Sequence, residues 1–324
     1  MKKFLVKTSF GFLALLLFMV GYGKFCDSYF TNSSFLDIVS NKRAWCQRKF
    51  GLHYNWAIIG SSRSFGSFDM ISLQKVSKKE IINLGANGSG YLDNYLILYQ
   101  FLKNQNTIDT LFIQTDIYAL NSKESFSNAF HAFNFIPFTN DPEIKRELFE
   151  QLTPQTKALW TIFPSIRYFQ YNKYFSPKEI ARRYKFKNIV KSPFDKTLGG
   201  SSKKEFRNFN SGNNSKQFET LNNEDLRYFF KIIEMCKKNK IEIVAYTAPE
   251  YEKHKQQIKN HMRLTKKIEE LLREQNIDIV KPDSTFEANQ YNFFDPLHLS
   301  DQGQTTFTSL FFNNLKAKNA IQLD

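Results

Sequence analysis

Apolar positions come first as one long leader and then as short runs alternating with helical stripes. From about Phe10 to Tyr22 the chain is largely apolar, and including Phe4 to Thr8 gives it the roughly 20 residues that a membrane-spanning helix needs. Lys2, Lys3 and Lys7 precede or open this run and belong on the cytoplasmic side. No small-x-small cleavage site follows, and Phe25 before Cys26 does not suit lipoprotein processing. Residues 1–23 are therefore read as an uncleaved signal anchor, with a cleaved signal peptide as the alternative. Either reading puts the rest of the chain on the extracytoplasmic side, as a single-pass protein in the first case. A polar connector, 24–54, follows.

Beyond it, Trp56-Ala57-Ile58-Ile59 breaks into Gly60-Ser61-Ser62-Arg63, and Glu80-Ile81-Ile82-Asn83-Leu84 runs into Gly85-Ala86-Asn87-Gly88-Ser89-Gly90. Short apolar runs ending in small residues suit buried parallel strands. Tyr91 to Lys103 places Leu92, Tyr95, Leu96 and Tyr99 on one helical face, and Thr110 to Gln114 reads as a third strand. The rhythm resumes with a helix from Asn223-Glu224-Asp225 whose stripe is Leu226, Phe229, Phe230, Ile233 and Cys236. Ile241 to Tyr246 then gives strand four, Glu252 to Gln275 a long amphipathic helix, and Ile277 to Val280 strand five. A closing helix from about Asp301 carries Phe307, Leu310, Phe311 and Leu315. Strands alternating with helices predict an α/β fold, a three-layer α/β/α sandwich around a five-stranded, mostly parallel, flavodoxin-like sheet.

Between the two parts of this core, 55–119 and 221–324, lies an aromatic-rich insertion, 120–220, punctuated by Pro137, Pro142, Pro154, Pro164 and Pro177, with a helical piece expected at Glu143 to Leu152. An insertion of this size is commonly a lid or substrate-binding subdomain; the plainer reading is that its aromatic residues form a small core of their own.

Composition alters this picture little. Across 324 residues, 42% hydrophobic and 16% aromatic content is ample for a globular fold, so disorder is not the default. The net charge of +14 is scattered, and no zinc, helix-turn-helix or RNP-like signature accompanies it, so nucleic acid is not read as a partner. Cys26, Cys46 and Cys236 have no metal spacing; a Cys26–Cys46 disulfide stays open, and Cys236 is expected to be buried. His53 and His131 lack spaced partners, and His254 and His261 are placed on a solvated helical face, so no metal or other cofactor is assigned.

The chemistry gathers where ligands bind in open parallel sheets, at the carboxyl ends of the strands. Ser62 follows strand one at the expected start of a helix, where the helix dipole and nearby N–H groups favour a developing oxyanion. Near the other end stands Phe294-Asp295-Pro296-Leu297-His298-Leu299. Three residues across a turn let Asp295 hold one ring nitrogen of His298 while the other faces a serine. A turn at Asp295-Pro296 and a helix cap at Ser300-Asp301 is the structural alternative. Arg63 and Ser64 form at best an anion cradle, since no phosphate-loop sequence is present.

With Gly-Ser-Ser after strand one, Asn-x-Gly-x-x-Gly after strand two and Asp-x-x-His-Leu near the end, the chain resembles the SGNH/GDSL hydrolase superfamily, and within it membrane-anchored bacterial branches such as the DltD-like and alginate O-acetylation proteins. The resemblance covers both flanks but not the insertion. It implies a nucleophile at Ser62, an oxyanion hole of the Ser62 and Gly88 N–H groups, with Gly85 as second choice, and Asp295 and His298 completing a triad. Ser61 replaces the aspartate of the family's first block. In the third block the family has Gly-x-Asn-Asp, where this chain has Gln114-Thr115-Asp116; an ionised Asp116 cannot donate to an oxyanion, which leaves Gln114 or Thr115 as substitutes, or Asp116 as a site residue that orients a loop. The implied function is an extracytoplasmic ester hydrolase or O-acyltransferase of the bacterial cell membrane. Acylated polysaccharide or another ester would be its substrate, and a membrane acyltransferase a further partner. The alternative is a non-catalytic, membrane-anchored glycan-binding or assembly protein on a degenerate scaffold.

Overall fold

The structure, a computed structural model of the full chain, describes residues 1–32, 46, 50–122, 131–171, 205–207, 209 and 217–317. Two compact units divide the chain, Met1–Gln47 with His131–Ser192 and Arg48–Phe130 with Pro193–Asp324.

In the second unit, β1 (His53–Ile59), β2 (Ile81–Asn83), β3 (Thr107–Gln114), β4 (Glu242–Tyr246) and β5 (Asp278–Val280) form a sheet in the order β2-β1-β3-β4-β5. Every neighbouring pair is parallel. A parallel sheet needs helical crossovers and is covered on both faces, which is why Trp56 to Ile59 reads as an unbroken apolar run and is wholly buried. Trp56, Ile58, Phe112, Val244 and Tyr246 share one face with Phe68 and with Leu73 of the helix Met70–Ser77 and Phe307, Phe311 and Leu315 of the helix Asp301–Ala317. Phe68 and Phe112 meet Phe311 edge-on at centroid distances of 4.9 and 5.4 Å, contacts that contribute about 0.5–1.5 kcal/mol each beyond area burial. The alternate residues Ala57, Ile59, Leu111, Ile113 and Ala245 are equally buried. The helices Tyr91–Lys103 and Asn223–Lys238, packed on each other through Tyr91 and Phe229, form a further layer.

Two differences from the sequence-based expectation bear on the site. The long helix of 252–275 is two helices, Glu252–Lys255 and His261–Glu274, because Asn260 takes a left-handed conformation (φ 64°) and its amide donates to the Phe218 carbonyl. A short antiparallel hairpin, β6 (Phe293–Asp295) and β7 (His298–Leu299), stands where only a turn is expected.

In the first unit the helix Lys2–Asn32 continues past Gly23, and its stretch Lys2–Ser28 is long and apolar enough to cross a membrane. Its C-terminal end is packed. The Gly23 backbone lies against Pro164 and Ser165, where a Cβ would come within 2.8 Å, and the buried Asp27 accepts hydrogen bonds from Arg167 and Tyr168. The helices Pro142–Glu150, Pro154–Ile162 and Ile166–Gln170 complete the described part. The first begins where Asp141 caps the Glu143 and Ile144 N–H groups. Cys26, Cys46 and Cys236 are buried thiols not joined to one another by disulfides.

Candidate active site

The chain leaves β1 through Gly60, whose φ of +153° and close neighbours demand glycine: a Cβ there would lie 2.5 Å from Gln114 Oε1 and 2.7 Å from Ser64 Cβ. Ser61 then caps the helix Ser62–Phe65, its hydroxyl accepting from the Arg63 N–H at 3.3 Å. That helix is a single turn, so its contribution at Ser62 comes from local N–H groups rather than from a macrodipole.

Ser62 Oγ lies 2.9 Å from His298 Nε2, across 236 positions of sequence. His298 Nδ1 lies 2.9 Å from both oxygens of Asp295, its cross-strand neighbour in the β6–β7 hairpin. Asp295 Oδ1 also accepts the N–H groups of Leu297 and His298, at 2.9 and 3.0 Å. Burial opposes ionisation of Asp295, but the hydrogen bond from His298 and those two N–H groups hold its carboxyl below the ordinary aspartate range. The hairpin is seated on the closing helix. Ser300 N–H donates to the Asn292 carbonyl at 3.0 Å, Ser300 Oγ donates to the Tyr291 carbonyl and accepts from Gly303 N–H, and a Cβ on Gly303 would lie 1.8 Å from the Asn292 carbonyl oxygen.

At the end of β2, Asn83 ties the Ser62–Phe65 turn to the loop that follows: its amide donates to the Ser64 carbonyl at 3.0 Å and its oxygen accepts from Gly85 N–H at 2.9 Å. Gly85 is thus engaged, and packed so closely that a Cβ would lie 2.6 Å from Ser64 Oγ. Gly88 is half-buried and left-handed (φ 67°), and among the described residues neither its N–H nor that of Ser62 donates to another group.

The residues after β3 form a buried network. Gln114 Oε1 accepts from Ser61 N–H and Oγ at 2.9 and 3.1 Å, while Gln114 Nε2 donates to Asp116 Oδ2 at 2.7 Å. Asp116 Oδ2 lies 3.0 Å from Arg63 Nη1, and its other oxygen accepts the Tyr118 and Ala119 N–H groups. Thr115 N–H is held by the Tyr246 carbonyl. Arg63 is no surface anion cradle: it is 2% exposed, donates to the carbonyls of Ala248 and Pro249, and lies over the Tyr118 ring. Burial works against its charge, and the carboxylates of Asp116 and Glu250 more than offset that.

His254 and His261 are not on a solvated face. With the helix broken at Asn260 they converge on the buried Glu250, at 2.7 and 3.1 Å, and Tyr118 Oη donates to the same carboxylate at 2.6 Å. Burial opposes the Glu250 charge, yet the hydrogen bonds from His254 and His261 and the nearby Arg63 hold its carboxyl well below the ordinary range. No spacing in the sequence marks Glu250, because its partners meet only through a helix break that periodicity does not reveal. A cavity of about 140 Å³ adjoins this cluster at the carboxyl ends of β3, β4 and β5; its Lys255 and Lys281 pair with Glu287 and Glu269. Among the described residues no group of His, Cys, Asp and Glu is arranged to hold a metal ion.

Scans against protein-family models and against curated proteins find no match to this chain. Among solved structures it is similar to an acetyl xylan esterase, AlAXEase, at 12% identity over 80% of this chain and 98% of that one, with a TM-score of 0.41.

Proposed function

We propose that this chain is a membrane-anchored, extracytoplasmic serine ester hydrolase or O-acyltransferase acting on acylated cell-envelope polysaccharide. The observation that carries the reading is the continuous contact Ser62 Oγ, His298 Nε2, His298 Nδ1, Asp295, with every step at 2.9 Å. A hydroxyl, a base and an orienting carboxylate in that order form a nucleophile that neutral serine otherwise lacks. His298 takes the Ser62 proton as Oγ attacks the ester carbonyl, and the N–H groups of Ser62 and Gly88 receive the oxyanion. Collapse expels the alcohol, which takes the proton from His298. Water or a sugar hydroxyl, deprotonated by His298, then attacks the acyl-Ser62 ester and frees the serine. The apolar span of Lys2–Ser28 and the lysines that open it support the anchored, extracytoplasmic setting. The polysaccharide substrate rests on the resemblance of the motif blocks.

Asp116 acts in this reading as the counterion that positions the Ser62 loop through Arg63 and Gln114, and the third block contributes no side chain to the oxyanion. That same feature favours the second reading, a non-catalytic glycan-binding protein.

Hydrolysis of p-nitrophenyl acetate by the full-length chain in detergent, with covalent labelling by a serine-reactive phosphonate, separates the two. Turnover and labelling at Ser62 are expected, with kcat falling by about 10³-fold or more in Ser62→Ala and in His298→Ala. Folded wild-type protein that neither turns over nor takes the label sinks the catalytic reading and leaves the binding protein.

A further inference from the structure

The described part of the insertion carries an apolar surface that no catalytic role uses. Leu159 and Ile162, on one side of the helix Pro154–Ile162, are 44% and 54% exposed, and Phe169 on the next helix is 55% exposed. Large apolar groups clustered in solvent call for a partner. Their neighbourhood says which. Phe169 stacks on Tyr22 of the N-terminal helix at 5.7 Å, Tyr22 stacks on Phe18 at 6.1 Å, and the Gly23 backbone abuts Pro164. The exposed patch is therefore continuous with the apolar surface of the candidate span.

Length fixes the depth at which the patch sits. The 31-residue helix is about 46 Å long at about 1.5 Å per residue, against a hydrocarbon core of about 30 Å. A span that starts at Phe4, with Lys7 in its first turn reaching back to the cytoplasmic headgroups, exhausts the core near Tyr22 and Gly23, where tyrosine favours the headgroup boundary. The segment 163–169 packs at that level. From Gln151 to Tyr171 the chain has no Asp or Glu, its basic residues are Lys157 and Arg167, and Arg167 is buried against Asp27. A segment without acidic residues, with exposed aliphatic and aromatic groups, suits an anionic lipid interface.

We infer that 154–169 is an interfacial membrane-binding element: Leu159, Ile162 and Phe169 enter the headgroup and upper acyl region of the bilayer that holds the N-terminal helix. This rests on the membrane-anchor reading and deepens it. It gives part of the insertion to the lipid surface rather than to a lid over substrate.

The test places the full-length chain in nanodiscs of phosphatidylcholine and phosphatidylglycerol doped with a diazirine phospholipid, followed by irradiation and peptide mapping. Lipid adducts on both the N-terminal helix and peptides within 154–169 are expected. Ile162→Glu combined with Phe169→Glu should lose the second set and keep the first, with an unchanged far-ultraviolet circular dichroism spectrum. Adducts on the helix alone overturn the inference and leave the anchor standing; adducts on neither overturn both. Cross-linking of two chains through 159–169 without lipid adducts there assigns the patch to a second copy and likewise overturns it.

Discussion

Asp116 stands where the resemblance leads one to expect an asparagine that donates to the oxyanion, and its surroundings show what an aspartate does there instead. It faces the buried guanidinium of Arg63, the residue after Ser62, and accepts the amide of Gln114, whose oxygen grips Ser61. Asp116→Asn keeps the shape but leaves Arg63 with less countercharge in a dry site. Removing one partner of a buried ion pair costs about 3–5 kcal/mol. The expected outcome is a lower midpoint in denaturant together with a lower kcat. A variant that turns over faster at unchanged stability would instead make position 116 an oxyanion position, with asparagine the better occupant. Ser62, Asp295 and His298 were legible in the sequence because three residues across a turn and a serine after a glycine are local patterns. Arg63 was not, since a basic side chain after a glycine-rich turn reads the same whether it faces solvent or is buried.

The β6–β7 hairpin and the closing helix form the element that carries the base. Gly303, in the first turn of that helix, permits the helix to lie on the Asn292 carbonyl, and Ser300 holds the same turn, just before β6, through the carbonyls of Tyr291 and Asn292. Gly303→Ala forces the hairpin away from the helix. The expected loss is about 1–3 kcal/mol or more of stability, with a fall in kcat and little change in KM, read by thermal melting and steady-state kinetics side by side. A variant as stable and as active as the parent would mean that the hairpin is not held there. The helix Asn223–Lys238 departs from its expected stripe in an instructive way. Tyr228 and Ile232 are buried where Leu226 and Phe230 were expected, and Asp225 turns inward to accept the N–H and hydroxyl of Ser122, each at 2.7 Å. Periodicity located the helix, but a buried polar contact from a distant segment set its rotation.

At the scale of the whole molecule, that inward carboxyl couples folding to pH. Burial raises the Asp225 carboxyl from the ordinary 3.8 to about 6, against the hydrogen bonds from Ser122 that favour the charge. Between those values the folded state holds a proton that the unfolded chain has lost, so stability rises as pH falls from about 6 to about 4. The gain is of order 2–3 kcal/mol. Asp225→Asn should flatten that part of the stability profile in denaturant titrations at pH 6.5 and 4.5; a profile unchanged by the substitution would show that Asp225 does not hold that proton. The N-terminal helix is also tied down at its C-terminal end, where Asp27 pairs with the buried Arg167 and Gly23 packs on Pro164. Taken alone, the sequence determined the parallel α/β core, its five strands and the apolar leader, because those depend on runs and periods of neighbouring residues. The tertiary structure alone decided the break at Asn260, the Glu250 cluster, the burial of Arg63 and the packing of the leader's end. Each of these depends on a polar or charged group finding its partner through the tertiary fold, and no local pattern records which partner the fold will bring.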